Sequence, residues 1–308
     1  MSMMNQYFPT SAVTDEFSQD IEVAARSMAE LGMTGAELRT VFGKNIMDLT
    51  EAELDRAIQT VRSYGLEVVS IASPVLKCVL PDAPELDSRF QQDTFGSQHT
   101  FEDQPELTER AFAIATRAKA RIIRVFSYWR TVRPEECVSR VATALRNIAE
   151  RASGHGLLIG LENEHACNVA TAAESAHLLQ IVDHPNLRLI WDPANAYVAG
   201  ENPFPGGYNL LPVERIVHVH AKDCKMHGHE PEWTALGEGG IDWTGQIRAL
   251  VDDGYRGHIS LETHWTAPNG DKLLGSIISG RNLKTMVTPG SSVDSAPVSS
   301  ASKGTGAS

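Results

Sequence analysis

The chain reads as a single-domain (β/α)8 barrel, a TIM barrel of the α/β class, and three observations carry that expectation. Short apolar runs alternate with helix-sized amphipathic stretches from residue 10 to residue 287. Eight of the runs have the length and bulk of buried parallel strands, and right-handed crossovers close eight such units on themselves. No run opens on the Gly-rich turn of a doubly wound dinucleotide fold.

In chain order the strands are expected at 12–17 (AVTDEF), 35–40 (GAELRT), 67–73 (EVVSIAS) and 121–128 (RIIRVFSY). The other four are expected at 157–164 (LLIGLENE), 187–195 (LRLIWDPAN), 215–223 (RIVHVHAKD) and 257–265 (GHISLETHW). Between them, IEVAARSMAELG, TEAELDRAIQTVRSYG and PEECVSRVATALRNIAERASG end on Gly32, Gly65 and Gly154, the residue type that best adopts a left-handed helix stop. Thr50 with Glu53 forms a capping box at the start of the second helix. Later helices are expected at TAAESAHLLQIV, DWTGQIRALVDDG and KLLGSIISGRNLKTM, whereas ENPFPGGYNLLPVE holds too much Pro and Gly for a long sixth crossover helix. Residues 74–106 make a third βα connection long enough to serve as an active-site lid. Residues 288–308 contain almost no large apolar side chain and are expected to form a disordered tail.

A net charge of −12 argues against a surface that grips nucleic acid or anionic lipid. No apolar run approaches the roughly 20 residues of a membrane span. The opening MSMMNQYFPT lacks the pattern of a secretory leader, so a cytoplasmic protein is expected. The four cysteines are widely spaced with no CxxC pair, which fits reduced thiols. Cys167 and Cys224 lie near the chemistry described next, but no neighbour favours a nucleophilic thiolate.

Glu162, Asp192, His220 and Glu262 close the last four strands in succession, separated by 30, 28 and 42 residues. In such a barrel the strand C-terminal ends converge on the face that carries the active site. A charged group at the end of a buried strand is costly unless it is paired or coordinates a metal. Three carboxylates and one imidazole form a hard donor set suited to one Mn²⁺ or Mg²⁺, with Co²⁺ or Zn²⁺ able to compete. Strand-end caps or ion pairs are the alternative use of the same four residues.

Further side chains are expected near that face. Lys222 shares a strand face with His220, so it reaches a substrate oxygen or phosphate, or pairs with a carboxylate. Glu37 and Arg39 share one face of the second strand, as an ion pair or as substrate contacts. Lys77 and Arg130, just past the third and fourth strands, either bind substrate or are solvated loop charges. His218 and His165 are candidate supporting donors. Glu238 lies in LGEGG, whose glycines would permit close approach of a phosphate. Of Trp129, Trp191, Trp233 and Trp265, one or two are expected to stack on a sugar ring and the rest to pack the core.

The motifs LENEH, WDPAN, HVHAKD, LGEGGIDW and SLETHW, in this order, resemble the xylose isomerase-like barrel superfamily, across nearly the whole of 10–287. That group includes sugar and sugar phosphate isomerases and epimerases, and zinc-dependent abasic-site endonucleases. The resemblance implies that Glu162, Asp192, His220 and Glu262 bind the metal and that Glu162 and Glu262 are the catalytic acid and base. Asn195 stands where the endonucleases carry a zinc-binding histidine and some epimerases a substrate-contacting one. Pro231 and Trp233 replace a further Asp-x-His, which implies one ion and a small carbohydrate substrate. The implied reaction is isomerisation or epimerisation of a sugar, sugar phosphate or oxo-sugar through a metal-stabilised enediolate. A lyase of the same superfamily, a dehydratase or a 3-oxo-glycoside deglycosylase, is the alternative. A non-catalytic sugar-binding barrel and a zinc endonuclease are the lesser readings. Barrel relatives are often dimers or tetramers, so a homo-oligomer stays open.

Overall fold

The computed structural model describes residues 7–90, 93, 96 and 98–290. The barrel strands are β1 (Thr10–Val13), β2 (Gly35–Leu38), β3 (Glu67–Ile71) and β4 (Ile122–Val125), followed by β5 (Leu158–Glu162), β6 (Leu187–Trp191), β7 (Ile216–Ala221) and β8 (Ile259–Leu261). Each pairs in parallel with its neighbours in chain order, and β1 closes on β8 through Thr10 opposite Ile259. The chain is therefore a closed eight-stranded (β/α)8 barrel. Around it run α1 (Ile21–Glu30), α2 (Glu51–Ser63), α3 (Gln104–Ala118), α4 (Val138–Ser153), α5 (Ala172–Val182), α6 (Pro193–Val198), α7 (Trp243–Asp252) and α8 (Lys272–Met286). Among the described residues no helix is long and apolar enough to cross a membrane.

Helix ends follow local chemistry. Thr50 accepts from the Glu53 amide while the Glu53 carboxylate accepts from the Thr50 amide, the expected reciprocal cap of α2. Gly32 and Gly65 adopt φ of +78° and +77°, and the amides after them bond back to Met28 and Val61. The corresponding stop of α4 is Gly156 (φ +69°), not the expected Gly154 (φ −63°). The Leu157 amide returns to Ala152 there, so the left-handed residue must sit two positions later. The Pro- and Gly-rich sixth crossover does remain a run of short helical turns after α6.

Several strands are shorter than their apolar runs, for identifiable reasons. The first strand was expected at 12–17, yet Thr14–Phe17 forms one helical turn. Adjacent residues of a strand face opposite ways; the turn instead lets Asp15 and Glu16 both reach the Arg39 guanidinium. β6 stops at Trp191 because Asp192 caps α6, its Oδ1 accepting the Asn195 amide at 2.9 Å, with Pro193 opening the helix. After β7 the chain makes an antiparallel hairpin, Asp223–His227 with Glu230–Thr234, that the sequence reading did not anticipate. α3 was also not singled out, being adjacent to the expected lid. The greater part of the expected tail, residues 291–308, lies outside the described residues.

Removing the Thr50 hydroxyl should uncover the first amides of α2. We expect Thr50→Ala to lower unfolding stability by about 1 kcal/mol in urea with an unchanged denaturant slope. An unchanged midpoint would mean that the cap contributes nothing to the fold.

Candidate metal centre

Four strand ends bring their side chains to one buried point. Glu162 ends β5, Asp192 follows β6, His220 lies in β7 and Glu262 follows β8. All are buried, and one donor atom from each lies within 4.8 Å of the others. His220 Nδ1 stands 2.9 Å from Glu162 Oε1, 3.4 Å from Glu262 Oε2 and 4.0 Å from Asp192 Oδ2. Asn163 ties β5 to β6, its Oδ1 accepting the Asp192 amide and its Nδ2 donating to the Asp192 carbonyl, both at 2.8 Å. With Oδ1 engaged in capping α6, Asp192 presents Oδ2 to the cluster.

Three buried cations flank the carboxylates. Lys222 Nζ lies 2.8 Å from Asp192 Oδ2 and 3.0 Å from Glu262 Oε2. Arg124 stands 3.3 Å from Glu162 Oε2 and 3.6 Å from Glu262 Oε1, and Arg39 stands 2.7 Å from Glu262 Oε1. The contacts to Glu162 Oε2 and Asp192 Oδ2 are ionic without hydrogen-bond alignment, so both buried oxygens lack a hydrogen-bond partner. Two such oxygens beside an imidazole nitrogen form a donor set that a hard divalent cation fits.

Burial and the crowding of charge shift the titration of these groups. Burial pushes the Asp192 carboxyl up to about 6; Lys222 opposes the shift, and Glu162 and Glu262 reinforce it. Burial disfavours charge on His220, yet Glu162, Glu37 and Glu262 outweigh it and hold the imidazolium well above its usual range. Burial likewise disfavours the Lys222 ammonium, but Asp192 and Glu262 hold its proton firmly.

Beneath the cluster, Glu37 accepts from Ser260 Oγ and faces His218 Nε2 at 2.8 Å and His220 Nε2 at 3.2 Å. His218 thus points inward as a supporting donor. Holding Nε2 of His220 turns Nδ1 toward Glu162, the outer-sphere arrangement that orients a ligating imidazole. The expected Glu37–Arg39 pair is not what organises these residues. Glu37 sits on the floor, whereas Arg39 lies past the end of β2 and bonds to Asp15, Glu16 and Glu262. Sharing a strand face says nothing about depth.

At the mouth, His165 Nδ1 meets Asn195 Oδ1 at 2.8 Å, and Asn195 Nδ2 donates to Glu162 Oε1 at 3.4 Å. Lys77 is buried rather than solvated, 3.9 Å from Glu164 Oε2 and above the Phe126 ring. Arg130 turns to Glu174 and to the carbonyls of Cys167 and Asn168, so its charge anchors the start of α5 instead of facing the cluster. The LGEGG loop closes on a side chain of the protein itself. Asp223 accepts the amides of Gly237, Gly239 and Ile241, and a Cβ on Gly239 would lie 2.0 Å from its Oδ1. The glycines approach a carboxylate, not a phosphate.

Trp191 packs in the core with its indole N–H on Gln246, and Trp129 is buried beside Phe126. Trp233, on the hairpin, lies over Lys222 and His264 and lines a 410 Å³ cavity with Phe90 of the long third connection, His165 and Val198. A larger cavity of 680 Å³ opens at the other end of the barrel, by the starts of β7 and β8, and touches none of the cluster. The four cysteines are buried and form no disulfide, and burial pushes the Cys78 and Cys224 thiols up to about 12, which disfavours their thiolates.

Sequence reasoning missed Arg124, Asp15, Glu16, Glu164 and His264. Arg124 was legible in principle, as a charge inside an apolar run. His264 gave no signal: it holds a left-handed backbone (φ +52°) while its amide donates to Glu16 Oε2.

A model of the xylose isomerase-like TIM barrel family matches residues 25–279. The chain belongs to this family. Among curated family relatives, an inosose dehydratase from Lacticaseibacillus casei is 28% identical over 138 residues, covering 40% of this chain and 46% of its own length. A 3-dehydroshikimate dehydratase from Pseudomonas aeruginosa is 34% identical over 129 residues, covering 40% of this chain and 20% of its own length. The chain thus spans less than half the length of these curated relatives. The solved structure of D-psicose 3-epimerase from Clostridium cellulolyticum H10 shares the fold, with a TM-score of 0.63 and 15% identity over 88% of this chain and 90% of that one. Dehydratases and an epimerase are thus among the proteins to which the chain is similar.

Glu16 allows a pH test of the charge network. Burial opposes its carboxylate, yet His264, Arg39 and Lys272 outweigh it and lower the pKa from 4.5 to about 2. Its stabilising contribution is complete above pH 4.5 and lost as pH falls through 2. Glu16→Gln should cost on the order of 3 kcal/mol at pH 7 and flatten the acid limb of unfolding stability. An acid limb identical to wild type would contradict the assignment.

Proposed function

We propose that this chain is a divalent-metal-dependent isomerase or epimerase that removes a proton beside the carbonyl of a small polyhydroxylated ketone and returns it. The observation that supports this reading is the convergence of Glu162 and Glu262 on one imidazole nitrogen in a buried site with orphaned carboxylate oxygens. A divalent ion held by Glu162, Asp192, His220 and Glu262 would draw electron density from the carbonyl and acidify the adjacent C–H. Mn²⁺ is our choice, since the donors are three carboxylates and one imidazole.

Glu162 and Glu262 then serve as the pair that takes and returns the proton. Arg39 and Arg124 fix the orientation of Glu262 and Glu162. Lys222 supplies positive charge where a substrate oxygen becomes negative. Asn195 links Glu162 to the partly exposed His165, giving the carboxylate a hydrogen-bonded route to the mouth. Lys77, Glu164 and Trp233 complete the substrate-binding surface in this reading. Residues 10–287 make up the catalytic unit, and four unpaired cysteines suit a reducing, cytoplasmic compartment.

Dehydration is the second reading, favoured by the names of the two curated relatives. Its first step is the same proton abstraction; a hydroxyl β to the carbonyl then leaves instead of the proton returning.

With Mn²⁺ in D₂O, a ketose or keto-cyclitol substrate should gain deuterium at the carbon beside its carbonyl. Chelation should abolish the exchange, and Glu262→Gln should slow it at least about 100-fold, as expected for loss of a general acid–base group. An enone absorbance appearing with the exchange would select dehydration. Undiminished exchange after stringent metal removal would refute metal dependence.

A further inference from the structure

The charge inventory of the site selects its substrate. Besides the three carboxylates of the cluster, the interior around it holds those of Asp15, Glu16, Glu37, Glu164 and Asp223, against the cationic side chains of Arg39, Lys77, Arg124 and Lys222. A divalent ion added to that inventory, with the imidazoles neutral, still leaves two net negative charges. Each cation is already committed to carboxylates: Arg39 to Asp15, Glu16 and Glu262; Arg124 to Glu162 and Glu262; Lys222 to Asp192 and Glu262; Lys77 to Glu164.

The approach is no more hospitable to an anion. The cavity beneath Trp233 is walled by Glu230 and by Arg89, whose guanidinium grips Asp87 in a bidentate pair. The backbone amides of the LGEGG loop, a nest near the site, are filled by the Asp223 carboxylate. An anionic substrate that took Arg39, Lys77, Arg124 or Lys222 as its counter-ion would have to break an existing buried ion pair, leaving an uncompensated charge behind. A neutral polyol faces no such loss. Its hydroxyls would meet His165, Asn195 and Glu164, and its C–H face would meet the Trp233 indole.

Building on the proton-abstraction reading above, we infer that the site takes an uncharged polyhydroxylated ketone, a free ketose or keto-cyclitol, and discriminates against phosphate esters and ring carboxylates. Glu164 enforces this choice by neutralising Lys77 at the mouth.

The test compares matched probes on the Mn²⁺-loaded full chain: 2-keto-myo-inositol and D-fructose against D-fructose 6-phosphate and a keto-cyclohexene carboxylate. Calorimetric binding and α-carbon deuterium exchange are read in parallel. We expect at least one neutral probe to bind at least 10-fold more tightly than either anion. In Glu164→Gln, which removes the carboxylate charge facing Lys77, the affinity for D-fructose 6-phosphate should rise at least 10-fold relative to wild type. Tighter binding of an anionic probe by wild type, or no binding of either neutral probe at millimolar concentration, would overturn the inference. Neutral-selective binding without any exchange would instead uphold it and refute the proposed reaction. Anion-selective binding with metal-dependent exchange would do the reverse.

Discussion

Negative charge buried at the C-terminal end of the barrel is the constraint on which the rest of the structure depends. Glu162, Asp192 and Glu262 lie almost wholly out of water within reach of one imidazole. Isolated, such carboxylates would shed their charge by binding protons. The fold meets them with three cations and with the proton that neighbouring carboxylates hold on His220. Burial, reinforced by Glu162 and Glu262, still raises the Asp192 carboxyl. A metal ion would offset the remaining negative charge, and the proton it would displace from His220 would couple its binding to pH.

Backbone architecture serves the same end. Asp192 caps α6 with one oxygen and offers the other to the cluster, while Asn163 locks the ends of β5 and β6 together. Asp223, three residues past His220, gathers the amides of the loop that follows the hairpin. The strand ends are thus held by hydrogen bonds that depend on neither ion nor substrate. That preorganisation lets carboxylates stay close to one another without the loops relaxing apart.

The barrel and the four clustered residues were legible because both rest on simple rules. Apolar periodicity marks buried strands, and a charge closing such a run needs a partner. Where elements stop was less legible: Thr14–Phe17 leaves the strand so that two carboxylates reach Arg39, a contact 23 and 24 residues distant in sequence. The hairpin after β7 was hidden because its two strands are short and one carries Pro231, a residue that argues against a strand interior. The glycines of LGEGG signalled close approach correctly, but sequence could not say that the approaching anion was Asp223. Glu37 and Arg39 share a face yet serve different layers, and only the strand end at Leu38 separates floor from mouth.

The central claim is that these buried charges form one metal site. The most direct measurement is a crystal structure of protein equilibrated with Mn²⁺, with anomalous scattering collected at the manganese edge. We predict a single anomalous peak bounded by carboxylate oxygens of Glu162, Asp192 and Glu262 and by Nδ1 of His220. Lys222 should then be displaced from at least one of the oxygens it now contacts. Absence of that peak, with the Lys222 ammonium still bridging Asp192 and Glu262, would contradict the account.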